Sequence, residues 1–528
     1  MIGSSPGLMQ DYPLTVDRFL EHGAKWHGAA LVATAGAEAD QSIGYAALRD
    51  RANRLSGALI DLGLKPGDRI ATLAWNTQHH VEVWYASMGV GLVCHTLNPR
   101  LTVAHLAAMV AKADDRVLAV GAGLRDTAEA LLDACPSLER LILLDGDTPE
   151  VGRPEVIDLE GLLEAGGRAV RWGQFDETAL AGLCFTSGTT GAPKGVGYTH
   201  RSNYLHTLRA LQADSIALTA RDSVLVAVPM FHANAWGLPF AAPAVGARLV
   251  LPGRSTDGAN LARLISRHEV TVAVGVPTVW LGLLDHLDAT GGETPSLERV
   301  IIGGSSCPDS LLQRMEQRLG ATVQTSWGMT ELSPLGAISP RSDKPGAARG
   351  SGRPPLGLDL LLTDADGAPL PDQRNTVGRL KVKGQSVVNA YFGAGASAVD
   401  EDGWFDTGDL AQLDDDGNLT LAGRSKDLIK SGGEWINPVE IEEIVGALPA
   451  VGLVAVIGRA DPKWGERPLM VIEPASGQQI EDENLRAALK GQVADWWIPE
   501  RIVRVEAMPL AATGKINKAL LRATYGDA

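Results

Sequence analysis

The run Thr186-Ser187-Gly188-Thr189-Thr190-Gly191-Ala192-Pro193-Lys194-Gly195 sets hydroxyl side chains and a lysine around glycines. Glycines let the backbone approach an anion and leave its N–H groups free to donate. The hydroxyls add donors, and Lys194 adds positive charge. The chemistry of such a loop is phosphate binding. Its spacing is not that of the Walker loop, which sets four residues between its glycines and Ser or Thr after the lysine. Three further clusters could act with it. Ser326-Trp327-Gly328-Met329-Thr330-Glu331 offers an aromatic ring, a close-approach glycine, a hydroxyl and a carboxylate, a set able to hold a purine, a phosphate and a hard cation. Trp404-Phe405-Asp406-Thr407-Gly408-Asp409 ends on a carboxylate suited to a ribose diol, although alone it reads as an Asp-rich turn. Pro509-Leu510-Ala511-Ala512-Thr513-Gly514-Lys515 ends on a lysine that, standing alone, reads as exposed.

These residues need a scaffold that brings distant segments together. Leu183-Cys184-Phe185 reads as a buried strand leading into the phosphate run. Residues 45–64 carry apolar side chains at helical spacing up to the stop signal Gly63. Residues 69–74 read as a strand, 80–90 as a helix, and another apolar run passes through Val93. The alternation continues past 300 and predicts α/β layers. From about 355 the pattern turns to short strands, with hairpin signals at Asp364-Ala365-Asp366-Gly367 and Asp416-Gly417. After Gly423 the chain turns polar, and a final small α/β unit follows. It holds an acidic helix over 438–448, strands over 451–457 and 469–472, and a helix ending near Trp497. A strand over 502–505 and a helix after Gly514 close it.

The 528 residues have room for roughly three domain-sized units of about 150 residues. Hydrophobic content of 45% supports large cores, and a net charge of −16 argues against nucleic acid. Positive charge must then be concentrated where phosphates bind. Four cysteines, Cys94, Cys135, Cys184 and Cys307, lack close pairing or metal spacing, which fits a reducing, cytoplasmic setting. No signal peptide and no apolar membrane span is read from the sequence. A nucleophile reading of Cys307 is rejected, because no activating histidine is near in sequence. A metal reading of His79-His80 is rejected too, because adjacent helical residues point apart.

The four motifs, in this order, resemble those of adenylate-forming enzymes, and the resemblance covers essentially the whole chain. The implied fold class is α/β: a large N-terminal domain of layered α/β subdomains plus a β-rich subdomain, hinged to a small α+β C-terminal lid. The implied boundaries are 1–424 (β-rich part about 355–424), a hinge at 425–426 centred on Lys426, and a lid at 427–528. The resemblance implies that Thr186, Ser187, Gly188, Thr189, Thr190, Gly191 and Lys194 grip the phosphates. Gly304, Ser305, Ser326, Trp327, Gly328 and Met329 are expected against the nucleotide, with Trp327 beside adenine. Thr330 would contact the α-phosphate and Glu331 would help hold Mg²⁺. Asp409 would take the ribose hydroxyls, Arg424 would reach the nucleotide, and Lys515 would be the catalytic lysine.

The branch is read from Val228-Pro229-Met230-Phe231-His232-Ala233-Asn234-Ala235-Trp236. It holds no carboxylate to pair with an α-ammonium, so the substrate is expected to be an acid without an α-amine. His232, Trp236, Val276, Gly303 and Leu335 are the expected acyl pocket. The stretches His95-Thr96-Leu97-Asn98-Pro99-Arg100, Ser431-Gly432-Gly433-Glu434-Trp435 and Trp496-Trp497-Ile498-Pro499 are similar to those of bacterial medium-chain acyl-CoA synthetases and the 3-methylmercaptopropionate-CoA ligase group. Gly432, Gly433 and Trp435 are expected to border a CoA channel, where glycines leave room for a thin chain. The implied activity is AMP-forming acid–thiol ligation, with ATP, Mg²⁺ and coenzyme A and a medium-chain or related alkanoic or arylalkanoic acid. A homodimer is an admitted assembly. The rivals are a ligase that loads an acyl carrier protein, an oxidative luciferase-like relative, and a non-catalytic acyl-nucleotide-binding protein.

Overall fold

The computed structural model describes residues 9–36, 38–145, 155–186, 193–305, 307–341, 350–432, 434–475, 477–511 and 515–526. Two large sheets dominate it. One has seven strands, in spatial order Val156–Asp158, Arg140–Leu143, Asp115–Val120, Arg69–Leu73, Val93–Leu97, Leu180–Thr186 and Lys194–Thr199. All neighbours are parallel except the last pair, an antiparallel hairpin. The other has eight strands: Leu335–Ile338, Thr322–Gly328, Arg299–Ile302, Val272–Gly275, Ser223–Val226, Arg248–Leu251, Leu31–Thr34 and Gln41–Gly44. Its inner strands are parallel and its two edge strands antiparallel.

Strands such as Arg299–Ile302 and Val272–Gly275 are buried along their whole length. That is why they read as apolar runs: helices cover both faces of a parallel sheet. One core lies between the sheets. It joins Ile70 and Val117 of the first to Val224 and Leu249 of the second, through Leu48, Trp84 and Phe240 on the intervening helices. Separate cores back the outer face of each sheet. Helices at 45–61 and 78–89 occupy the segments predicted to be helical.

A four-stranded antiparallel sheet follows: Leu358–Thr363, Gly378–Gly384, Phe405–Leu413 and Leu419–Arg424. The turn predicted at 416–417 joins its last two strands. The turn at 364–367 also forms, but the next strand begins only at Gly378. Between them Gln373 caps the edge of the first strand, accepting from Leu362 N and donating to its O, each at 2.8 Å. The one-turn helix Ser425–Asp427 leads into a smaller five-stranded sheet built on Val451–Asp461 and Gly465–Pro474. The helix predicted to end near Trp497 is two pieces, Asp482–Leu489 and the turn Asp495–Trp497. Gly491, at φ +74°, breaks the chain between them. Among the described residues, no helix is long and apolar enough to cross a membrane.

Candidate active site

The site residues gather where parallel strands end. In open α/β sheets, ligands bind beyond the carboxyl ends of the strands. The strand Leu180–Thr186 runs into the phosphate run, whose return strand starts at Lys194, with Thr186 and Lys194 in register. Ser187, Gly188, Thr189, Thr190 and Gly191 lie outside the described residues, so the structure gives the stem of that loop. Arg299–Ile302 ends at Gly303-Gly304, Val272–Gly275 ends at Val276, and Thr322–Gly328 ends at Met329-Thr330-Glu331.

Among the residues expected against the nucleotide, three groups lock together. Asp409 is 4% exposed. It accepts from Trp327 Nε1 at 3.0 Å and from Arg424 Nε at 3.0 Å. Burial pushes the Asp409 carboxyl up, against the opposing pull of Arg424 and Trp327. Trp327 is itself buried, its ring seated against Gly336. The structure thus gives the indole N–H the task of fixing Asp409, a role not read from the sequence. Thr330 and Glu331 sit in the one-turn helix Thr330–Leu332 and are buried. Ser326 Oγ donates to Ile302 O at 3.1 Å, while Ser305 is exposed at the rim.

The residues expected to form an acyl pocket pack closely. A Cβ at Gly303 would fall 2.3 Å from Ser326 Oγ and 3.0 Å from the Trp236 ring. Gly304, at φ +86°, lies against Val276 and Trp236. Only glycine allows both approaches. Trp236 is presented by an unusual turn: Ala233, Asn234, Ala235 and Trp236 have φ of 45°, 52°, 46° and 55°. Left-handed geometry costs L-residues about 1–2 kcal/mol each, and such strain concentrates at functional sites. His232 is half-buried, and its imidazole is pushed down to about 4 by desolvation, with the Lys515 charge adding to the effect. It is neutral at pH 7. Leu335 is buried behind the wall, its N–H donated to His206 Nε2 at 3.1 Å.

Lys515 comes from the small C-terminal unit and reaches this cluster. Its Cε lies 3.8 Å from where a Gly304 Cβ would be. Burial, then the Arg424 charge, pushes its ammonium down to about 8, while Asp409 and Glu331 pull it up. Lys426 is lowered by burial and by Arg424. Gly432 makes its contacts within the lid: its N–H donates to Trp464 O at 2.8 Å, and a Cβ there would meet the Trp464 ring at 2.8 Å. Gly433 lies outside the described residues. Trp435 is exposed, with Lys430 Nζ 5.4 Å from its ring centroid. A cavity of about 320 Å³ opens beside Val276 and Phe231, lined also by Arg100 and Arg254, with Leu510 and Ala511 of the lid on its wall.

Several supporting residues carry no sequence signal. Arg209 is buried and donates to Ser386 Oγ at 2.8 Å, Leu335 O at 2.8 Å and Leu332 O at 3.3 Å. It clamps the turn that carries Thr330 and Glu331. Tyr391 donates to Glu331 Oε1 at 3.0 Å. The Cys307 thiol is pushed up to about 12 by burial, so it is protonated at neutral pH. His79 pairs with Asp145 and His80 bonds Trp75 O and Thr72 Oγ1. Among the described residues, no group of three metal-ligating side chains occurs.

Family models match the chain twice: the AMP-binding enzyme model over residues 20–392 and the AMP-binding enzyme C-terminal domain model over 440–515. The chain is 42% identical to the 3-methylmercaptopropionyl-CoA ligase of Ruegeria pomeroyi, with 99% of each chain covered. It is 40% identical to the medium-chain-fatty-acid–CoA ligase of Ectopseudomonas oleovorans, covering 99% of this chain and 98% of that one. Among solved structures, it is similar to the o-succinylbenzoate coenzyme A synthetase of Bacillus subtilis in complex with ATP and magnesium ion. There the TM-score is 0.78 and the identity 25%, with 94% of this chain and 98% of that one covered.

Proposed function

The chain belongs to the AMP-binding enzyme family, and from that premise we propose how its residues divide the reaction. It is an ATP-dependent acyl-CoA ligase. A carboxylate and ATP give acyl-AMP and pyrophosphate; acyl-AMP and CoA then give acyl-CoA and AMP. The observation that carries the assignment of residues is the convergence at one point of Lys515 from the lid, Gly304 with Trp236 and Val276 from the wall, and the charges of Asp409 and Glu331.

In the first step, a carboxylate oxygen attacks the α-phosphorus and the bond to the bridging oxygen of pyrophosphate breaks. Lys515 and Thr330 face the phosphorus that gains charge, and Lys194 with the hydroxyl run holds the departing phosphates. Asp409, held by Trp327 and Arg424, takes the ribose. Mg²⁺ fits this donor set: a hard cation that keeps water and phosphate ligands needs one or two carboxylates rather than a protein cage. Glu331 supplies one, and no three-ligand cluster occurs among the described residues. When bound, the ion offsets phosphate charge.

In the second step, the lid turns about Lys426, withdrawing Lys515 and bringing Gly432, Gly433 and Trp435 to the thiol path. The CoA sulfur attacks the acyl carbon and AMP leaves. The cavity bounded by Leu510 and Ala511 is the approach we assign to CoA. It abuts the acyl wall, it opens when the lid leaves, and it carries the guanidiniums of Arg100 and Arg254 for phosphate. The wall formed by neutral His232, Trp236, Val276, Gly303 and Leu335 suits an uncharged acyl chain, so the proposed substrate is a medium-chain or related alkanoic or arylalkanoic acid. We propose a cytoplasmic location, a reading that the four free cysteines support. The homodimer remains part of the proposal, to be read by light scattering.

The test is pyrophosphate release across a panel of carboxylic acids with ATP and Mg²⁺, with free CoA or an acyl carrier protein as acceptor. Neutral medium-length acids with free CoA should give the highest kcat/KM. A preference for amino acids, or for the carrier protein, would overturn the substrate reading.

A further inference from the structure

We propose that Tyr391 is a positioning residue for adenylation, coupling the carboxylate that faces the metal to the lysine that faces the departing phosphates. The proposal rests on the reading of Glu331 and Lys194 given above. Its ground is that one side chain touches both. The Tyr391 hydroxyl donates to Glu331 Oε1 at 3.0 Å, and Lys194 Nζ stands 4.9 Å from the centroid of the same ring. Glu331 follows a strand of the eight-stranded sheet, whereas Lys194 opens a strand of the seven-stranded one.

The backbone around Tyr391 is stitched to both partners independently of its hydroxyl. Phe392 N donates to Gly195 O at 2.7 Å, tying the segment to the strand that begins at Lys194. Val388 N donates to Glu331 O at 2.8 Å, tying it to the turn that carries the carboxylate. At the near end, Ser386 Oγ donates to Leu332 O at 3.2 Å and accepts from the buried Arg209. The ring also packs against the core that holds Val196 and Leu332. The phenol is therefore delivered to a fixed place by the loop, and removing its oxygen should leave that loop intact.

The chemistry of the two contacts is what sets this apart from packing. The hydroxyl of a half-buried tyrosine could be satisfied by water. Here it is spent on one oxygen of a carboxylate whose other oxygen is wanted by a cation. A lysine or arginine in this place would fix the carboxylate but cancel its charge. A neutral hydroxyl fixes the rotamer and leaves the charge to the metal. The ring does the matching service for Lys194. A π face attracts an ammonium without occupying its N–H donors, so all three stay available to phosphate oxygens. A carboxylate partner would have taken them.

The experiment compares Tyr391→Phe, Tyr391→Leu and Glu331→Gln in the full chain. Two quantities are read: the Mg²⁺ concentration that half-saturates ATP–pyrophosphate exchange, and the Kd of ATP by calorimetry, with Mg²⁺ and with EDTA. Orienting partners of metal ligands are worth about 10–100-fold in metal affinity or activity. Tyr391→Phe should therefore raise the Mg²⁺ requirement by about tenfold or more, with the Kd of ATP in EDTA unchanged. Tyr391→Leu should add a rise of about two- to fivefold in that Kd, as Lys194 loses its ring. Thioester formation from supplied acyl-adenylate should be unaffected in both. A Tyr391→Phe enzyme with the parental Mg²⁺ requirement, alongside a Glu331→Gln enzyme in which it is shifted, overturns the role of Tyr391. A Glu331→Gln enzyme with no shift overturns instead the reading of Glu331 on which it rests. Should Tyr391→Leu lose its cooperative thermal transition, Tyr391→Phe alone decides.

Discussion

Lys515 carries the sharpest expectation, because its environment fixes both a rate and a pH profile. The ammonium is pushed from 10.5 to about 8. At 1.36 kcal/mol per unit, that is about 3 kcal/mol against the charged form in the ligand-free site. The lid-docked state therefore gains stability as pH rises from about 8 to 10.5, where the free lysine is still protonated and the docked one is not. Adenylation needs the charge, so the sign for activity is the reverse: it is present below the pKa and lost as pH rises through it. The profile of kcat/KM for pyrophosphate exchange, which reports the free enzyme, should bend down near pH 8. ATP brings negative charge beside the ammonium and relieves its burial, so the limb of kcat should lie at higher pH. Lys515→Arg should lose the limb, because arginine does not titrate there. Lys515→Ala should lose about 10²–10³-fold in adenylation, the range for one preorganised charge-stabilising donor. Its thioester formation from synthetic acyl-adenylate should survive. The assignment fails if Lys515→Arg keeps a limb near pH 8, or if a folded Lys515→Ala loses both half-reactions equally.

Three other perturbations probe other parts of the site. Lys426→Pro should leave adenylation in place and stop CoA transfer, because proline fixes φ and restricts Ser425 before it; normal steady-state thioester synthesis by this variant removes Lys426 as the hinge. Trp236→Ala frees the space facing Gly303 and Gly304, so bulkier acids should gain by about 1–3 kcal/mol in kcat/KM while the KM for ATP stays put. An unchanged ranking of acids with collapsed ATP affinity would move Trp236 to the nucleotide side. Arg254→Ala should raise the KM for CoA by about fivefold, more at low salt, as expected for an exposed phosphate contact. An unchanged KM for CoA at low salt takes the cavity out of the thiol path.

What the sequence disclosed and what it withheld follow from how each residue is held. The layered α/β scaffold was legible because buried parallel strands are apolar over most of their length, as Val272–Gly275 is and as residues 300–302 of Arg299–Ile302 are. The residues we assign to the ligands could be named from the sequence because they follow those strands directly, where turn chemistry forces glycines and hydroxyls into short runs. Gly303-Gly304 and Thr330-Glu331 are of this kind.

The supporting residues act over distance, and nothing local marks them. Tyr391 reaches Glu331 across 60 positions, and its neighbours Ala390 and Phe392 suggest only packing. Arg209 sits on the helix His200–Ala210, where an arginine reads as a solvated face; only the fold shows it buried against Leu332 and Leu335 carbonyls. The left-handed turn at Ala233–Trp236 contains no glycine to announce it. Trp327 reads as a stacking aromatic, yet Gly336 on the paired strand gives its ring a buried seat and leaves its N–H to Asp409. In each case the group we assign to a ligand is named by its own chemistry, while the group that aims it is ordinary in type and special only in where a distant segment lays it. Substitutions of the second kind should therefore alter metal requirement or acid choice before they abolish turnover, and it is by that difference that the two classes can be told apart at the bench.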